Sequence, residues 1–166
     1  ALPPGVRALL LYPMNALAND QMVRLRDLLG NYPSLTFGRY TGETEETTAK
    51  AREKYRKMFQ REPHANELIS REQMRERPPH ILLTNYAMLE YLLLRPADHV
   101  FFDGVHAQHW RFLIIDEAHT YTGAKAIEMA MLLRRLKDRV VQGRTGILQC
   151  VATSATLGKG EEDFPA

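Results

Sequence analysis

Four apolar residues run straight into two adjacent carboxylates at Phe112-Leu113-Ile114-Ile115-Asp116-Glu117-Ala118-His119. An unbroken apolar run of this length suits a strand buried on both faces, as in a parallel sheet between helices. In open α/β sheets, ligands bind at the carboxyl ends of the strands. Two carboxylates there are costly unless something cationic meets them. In nucleoside triphosphatases the cation is magnesium. One carboxylate helps to hold it and a second group positions the attacking water. The plainer alternative is an acidic pair at the start of the next helix. A given tetrapeptide occurs by chance in a chain this long about once in a thousand, and the apolar run before it lowers that further.

The rest of the 166 residues falls into the same alternation. Val6 to Tyr12, Leu35 to Tyr40, His80 to Thr84 and Ile147 to Thr153 read as four more strands. Between them, Ala18, Met22, Leu25 and Leu29 recur at helical spacing, with Asn15 as the expected N-cap and Gly30 as the stop. Asn85 caps an apolar helix from Tyr86 to Leu94. A last helix, Ala124 to Val140, is expected to set Ile127, Met131 and Leu132 on one side. Strands alternating with helices give an α/β domain with a mainly parallel sheet. Residues 44–79 carry 9 Lys/Arg and 7 Glu and read as a helical insertion of two exposed helices split near Pro63. Ser70 and Gln73 make a capping box for the second. A solvated charged face is the first reading of this insertion, and a nucleic-acid-tracking surface the second.

Further small polar groups sit at other strand ends. Ser154-Ala155-Thr156 follows His119 by about 35 residues, where an adjacent strand would bring its hydroxyls near that histidine. Pro13-Met14-Asn15-Ala16-Leu17-Ala18, Tyr40-Thr41-Gly42-Glu43 and Thr84-Asn85 end three more. Small residues at helix starts leave backbone N–H groups for phosphates. Such contacts hold a strand without reading its sequence. Each taken singly is a turn or a cap, and only their coincidence is informative.

In order, PMNALA, TGE, TN, DEAH and SAT resemble motifs Ia, Ib, Ic, II and III of the DEAD/DEAH-box helicases of superfamily two, from Leu10 to Thr156. The strings ILLTNYAMLEYLLLRP and DEAHTYTGA look most like DNA helicases of bacterial repair and defence systems. The resemblance implies a RecA-like three-layer fold and ATP-driven translocation on a single strand or duplex of nucleic acid, with DNA the expected partner. It implies that Asp116 holds Mg2+ through water, that Glu117 orients the attacking water, and that His119 couples to Ser154 and Thr156. Asn15, Ala16, Thr41, Gly42, Thr84 and Asn85 would face the strand backbone.

The chain departs from that family in two respects. No G-x-x-x-x-G-K-[ST] phosphate-binding loop occurs in it, and Gly158-Lys159-Gly160 is no substitute. Residues 1–166 therefore read as an incomplete N-terminal RecA-like ATP-binding domain, truncated before the P-loop. The second motor domain, with its arginine fingers, is missing as well. The isolated chain is expected to be inactive. A rival reading is a non-catalytic nucleic-acid-binding module that keeps the fold; the intact Asp116-Glu117 pair speaks against it.

Composition adds bounds. Net charge is +2, which neither requires nor excludes nucleic acid. The single cysteine, Cys150, excludes an internal disulfide and is expected in the core; a reducing, cytoplasmic setting is the simplest reading. No apolar run reaches membrane-spanning length. Ala1-Leu2-Pro3-Pro4 carries no leader pattern and reads as the interior of a longer protein. Asp103, His106 and His109 could ligate a metal, but a surface loop is the better reading for lack of a fourth ligand. Trp110 and Phe112 are expected to pack rather than to stack on bases.

Overall fold

The computed structural model describes residues 2–144 and 147–154, and the side chains of residues 16–18 are outside the description. Among these residues six strands form one sheet: β1 (Ala8–Tyr12), β2 (Phe37–Arg39), β3 (Glu67–Leu68), β4 (Ile81–Asn85), β5 (Phe112–Ile115) and β6 (Gln149–Ala152). Their spatial order is β3-β2-β4-β1-β5-β6, and every pairing is parallel. Five helices connect them: α1 (Asn15–Leu29), α2 (Thr48–Phe59), α3 (Arg71–Glu76), α4 (Tyr86–Leu94) and α5 (Gly123–Val141).

Strand alternation separates two cores. On β1, Leu9 and Leu11 face α4 and α5, joining Met88, Leu89, Leu92, Leu132 and Leu136. Leu10 and Tyr12 face α1, joining Met22 and Leu29 with Phe37 and Leu83. Helices on both faces of a parallel sheet make the three-layer RecA-like arrangement expected from the sequence.

Four local expectations are corrected. Residues 44–79 are not only helical, because Glu67–Leu68 add a strand beside β2. Charge hid it. Glu67 is buried yet accepts from Arg26 and Tyr55, and Asn66 donates to the carbonyls of Leu29, Tyr32 and Leu35. The N-cap of α1 is Met14, with no side-chain cap, and Asn15 is freed for longer-range contacts. On α5 the buried stripe is Met129, Leu132, Leu136 and Val140, while Ile127 and Met131 are exposed. Cys150 is exposed rather than core, since β6 pairs only with β5 among the described residues and all four of its residues are exposed. The capping box at Ser70 and the Asn85 cap of α4 are present as expected.

The loop from 97 to 110 winds into two short 3-10 turns, Pro96–Phe101 and Gly104–His109. Two of its three candidate ligands are engaged elsewhere. Arg139 donates to both Asp103 oxygens at 2.8 and 2.6 Å, and His106 Nδ1 lies 3.0 Å from the Pro4 carbonyl. Trp110 is buried and donates to the Phe101 carbonyl, whereas Phe112 is partly exposed. No helix among the described residues is long and apolar enough to cross a membrane.

Candidate nucleotide and strand site

The acidic pair sits at the carboxyl end of β5, as its sequence demands. Asp116 N–H donates to the Leu11 carbonyl, continuing the β1–β5 ladder one residue past the strand. The Thr153 hydroxyl donates to Asp116 Oδ1, which fixes that carboxylate from the end of β6. Buried Tyr12 lies on the other side. Burial, and then the Asp116 charge, pushes its hydroxyl up to about 12, so it stays protonated.

Glu117 stands in the left-handed region, with φ 52° and ψ 45°. That conformation costs a non-glycine residue on the order of 1–3 kcal/mol and tends to persist at functional sites. It persists here because neighbouring groups bracket it. Ala118 N–H donates to the Thr153 carbonyl, and the Thr120 amide and hydroxyl both donate to the Glu117 carbonyl. His119 Nδ1 then lies 2.9 Å from Ser154 Oγ and 3.3 Å from a Glu117 carboxylate oxygen. Asp116, Glu117, His119 and Ser154 thus meet at the ends of two neighbouring strands. Thr156 lies outside the described residues. Thr153 was not singled out in the sequence. Its signal is a β-branched hydroxyl one place after an apolar strand, which the neighbouring Ser154-Ala155-Thr156 masks.

No group of three or more His, Cys, Asp or Glu that could cage a metal occurs among the described residues. Magnesium rarely needs one. It keeps several waters and takes one or two carboxylates plus substrate phosphates. The single carboxylate of Asp116, held rigid by Thr153, fits that mode of binding and no closed protein cage.

The second set lies at the ends of β1, β2 and β4. Asn85 accepts from Met88 N–H through Oδ1 and donates through Nδ2 to Asn15 Oδ1 at 2.5 Å. Asn15 Nδ2 donates to Glu43 Oε1 at 3.2 Å, and Glu43 also takes the Arg39 guanidinium at 3.3 Å. One hydrogen-bonded row therefore joins Asn85, Asn15, Glu43 and Arg39 across three strand ends. Gly42 is exposed, and a Cβ there would meet nothing within 4 Å. A ligand could approach that backbone closely.

Thr41 and Thr84 are placed differently. Both are fully buried. The Thr84 hydroxyl donates to the Tyr40 carbonyl at 2.7 Å, and Thr41 N–H donates to Thr44 Oγ1 at 2.9 Å. Arg71 reaches the Thr41 carbonyl at 3.1 Å. Behind the turn, Asp98 takes the Tyr40 hydroxyl at 2.6 Å and Arg75 at 2.8 Å. Burial first, then Asp98, holds the Tyr40 hydroxyl well above its ordinary pKa. These groups shape the turn that presents Gly42. Of Ala16, only the backbone, in the first turn of α1, is described.

Comparisons with known proteins agree with this geometry. The DEAD/DEAH box helicase family matches residues 1–164. The Druantia protein DruE of Escherichia coli (strain UMEA 4076-1) is 30% identical, over 96% of this chain and 13% of that protein. The uncharacterized ATP-dependent helicase YprA of Bacillus subtilis (strain 168) is 29% identical, over 94% of this chain and 17% of that protein. Among solved structures, the DUF1998 helicase MrfA superposes with a TM-score of 0.65 at 27% identity, over 95% of this chain and 21% of that one. The chain thus spans less than a quarter of each of these relatives. They are consistent with the repair- and defence-type branch that the TNYAMLEYLLLRP string resembles. With its motifs assembled at the carboxyl ends of a parallel RecA-like sheet, the chain belongs to the DEAD/DEAH box helicases.

Proposed function

We propose that this chain is part of the first motor domain of an ATP-dependent DNA helicase, which couples ATP hydrolysis to movement along a strand. The observation that carries the reading is the joint held between β5 and β6: Thr153 on Asp116, and His119 on Ser154. MrfA has been solved bound to DNA and AMPPNP, which supports DNA and ATP as the ligands.

In this reading Asp116 would hold a magnesium ion through water, which when bound would supply charge neutralisation for the phosphates. Glu117, propped up in its left-handed turn, orients and polarises the attacking water. His119 reads the position of Glu117 and passes it to Ser154 and Thr156. Asn15, Ala16, Gly42 and Asn85 face the strand backbone, and Thr41 and Thr84 hold them in register. The phosphate-cradling loop and the second motor domain come from other parts of the protein. Among the described residues β6 pairs only with β5, and a further parallel strand there would extend the sheet. Without such a loop nothing cradles the β and γ phosphates, so the isolated chain does not turn over ATP.

The test is Glu117→Gln in the complete protein. Glu117 acts only on the way to the transition state, so ATP affinity should hold while turnover falls by about 10²–10⁴-fold. Asp116→Asn should weaken nucleotide binding as well. Near wild-type hydrolysis by Glu117→Gln would overturn the assignment.

A further inference from the structure

A cleft of about 270 Å³ opens between α1 and α2, beside the strand-end row and away from the DEAH residues. We infer that it captures a single unstacked nucleobase from the strand whose backbone runs along the row; this rests on the strand-binding reading above. Three observations point to a base.

The first is continuity. Glu43 lines the cleft and is also the third member of the Asn85–Asn15–Glu43–Arg39 row. Thr44, which holds the Thr41 turn, lines it too. A backbone crossing Gly42 lies at the mouth of the cleft.

The second is the wall. Val23, Met58 and Phe59 line the cleft and are 47%, 64% and 37% exposed. The Phe59 ring stands 4.7 Å from Tyr55, and Arg26 lies over Phe59 at 4.6 Å and over Tyr55 at 5.2 Å. Large apolar groups left open beside charged ones suit a planar ring with polar edges. The volume sits just below the usual ~300–1,000 Å³ of small-molecule sites, which suits one heterocycle better than a larger ligand.

The third is charge. The lining cations are all paired: Arg26 with Glu67, Arg39 with Glu43 and Lys54 with Glu45. Asp20 adds a fourth carboxylate, so the cleft is acidic by one charge. A phosphate group gains nothing there, whereas a neutral base gains stacking and finds donors and acceptors at the rim. The backbone stays outside and the base goes in.

The experiment compares two short single strands on this chain. One carries 2-aminopurine at its centre and the other an abasic site at the same position. Base stacking on aromatic side chains predicts about 5- to 150-fold weaker binding of the abasic strand. The 2-aminopurine emission should change as the base leaves its neighbours. Phe59→Leu, which keeps bulk and removes the ring, should bring the two affinities together. Val23→Met, at an exposed position, should do so by filling the cleft, and keeps the test decisive if Phe59→Leu folds poorly. Equal, salt-dependent binding of both strands by the unaltered chain would overturn the inference while leaving the backbone row intact, and would give the cleft to an apolar protein segment. Binding of neither strand would sink the backbone reading and this inference with it.

Discussion

The β3 end of the sheet and the β6 end are built in opposite ways. β3 is two residues long and begins with a glutamate, yet Glu67 is only 3% exposed. Arg26, Tyr55 and the three-carbonyl clamp of Asn66 surround it. β6 is longer and more apolar, yet all its residues are exposed, as are Ile127 and Met131 of α5. The carboxylates of Asp116 and Glu117 stand beside this thinly supported end. Hydropathy alone inverts this arrangement. What decides burial is whether polar groups find partners, and at the β3 end each of these does. Breaking a buried pair is costly, so the β3 end resists disruption, whereas the acidic pair stands beside an exposed strand.

The largest effect should come from unbalancing the buried pair. Glu67→Ala leaves Arg26 buried without its carboxylate, a change of about 3–5 kcal/mol. Against a typical total of about 5–15 kcal/mol, that threatens the fold. Urea unfolding followed by circular dichroism measures it. A loss below about 1 kcal/mol would show that water reaches Arg26 and that the β3 end is not the stable one.

Thr153→Val probes the other end. It removes the hydroxyl on Asp116 and keeps the shape of the side chain. Stability should move by no more than about 1 kcal/mol, as for one exposed hydrogen bond. In the complete protein, turnover should fall by roughly 10²-fold, the scale of a small misplacement of a reacting group. Equal turnover with altered stability would reverse the roles of the two ends.

The sequence made one end legible and obscured the other. FLIIDEAH carries its own strand, its strand end and its chemistry within eight contiguous residues, so β5 and the acidic pair could be placed directly. Ser154 followed from strand adjacency, which β5–β6 pairing bears out. By contrast, β3 depends on Arg26, 41 residues away, and no local pattern reveals such a partner. Asn15 reads as a cap because caps are local, while its contacts with Glu43 and Asn85 lie 28 and 70 residues away. The α5 stripe is hidden in the sequence because Ile127 and Met131 are as apolar as Met129 and Leu136. Periodicity gives a helix its faces and leaves open which one is covered.

His80 offers a pH test of the covered end. It is buried at the start of β4, where Nδ1 accepts from Thr36 N–H at 3.0 Å and Nε2 lies 3.1 Å from the Pro3 carbonyl. Those contacts need the neutral ring with its proton on Nε2. Burial first, then Arg7, lowers its pKa below the ordinary 6.5. The unfolded chain therefore takes up the proton first on acidification. This contribution is present above 6.5 and is lost as pH falls toward the lowered value. Unfolding midpoints measured across that range should decline with acid, and His80→Gln should flatten the decline. A decline unchanged by His80→Gln would assign it to carboxylates elsewhere.

The smallest effect is expected on β6 itself. Val151 is 46% exposed, and its partner across the ladder, Ile114 of β5, is half-buried. Val151→Thr keeps the β-branch and so the strand propensity, and exchanges one exposed methyl for a hydroxyl. Nothing is left unsatisfied, because water reaches the new group. Stability of this chain should change by no more than about 0.5 kcal/mol, as for surface positions in general. The control is Leu9→Ala on β1, where a fully buried side chain is truncated between β4 and β5 at a cost of about 2–5 kcal/mol. The gap between the two variants measures how unevenly the sheet is supported. If Val151→Thr cost as much as 2 kcal/mol in this chain, β6 would have to be packed against something, and the contrast between the two ends would fail. Repeating the pair in the complete protein sharpens the test. If a further strand covers β6 there, the Val151→Thr cost should rise toward that of a buried position while the Leu9→Ala cost stays the same.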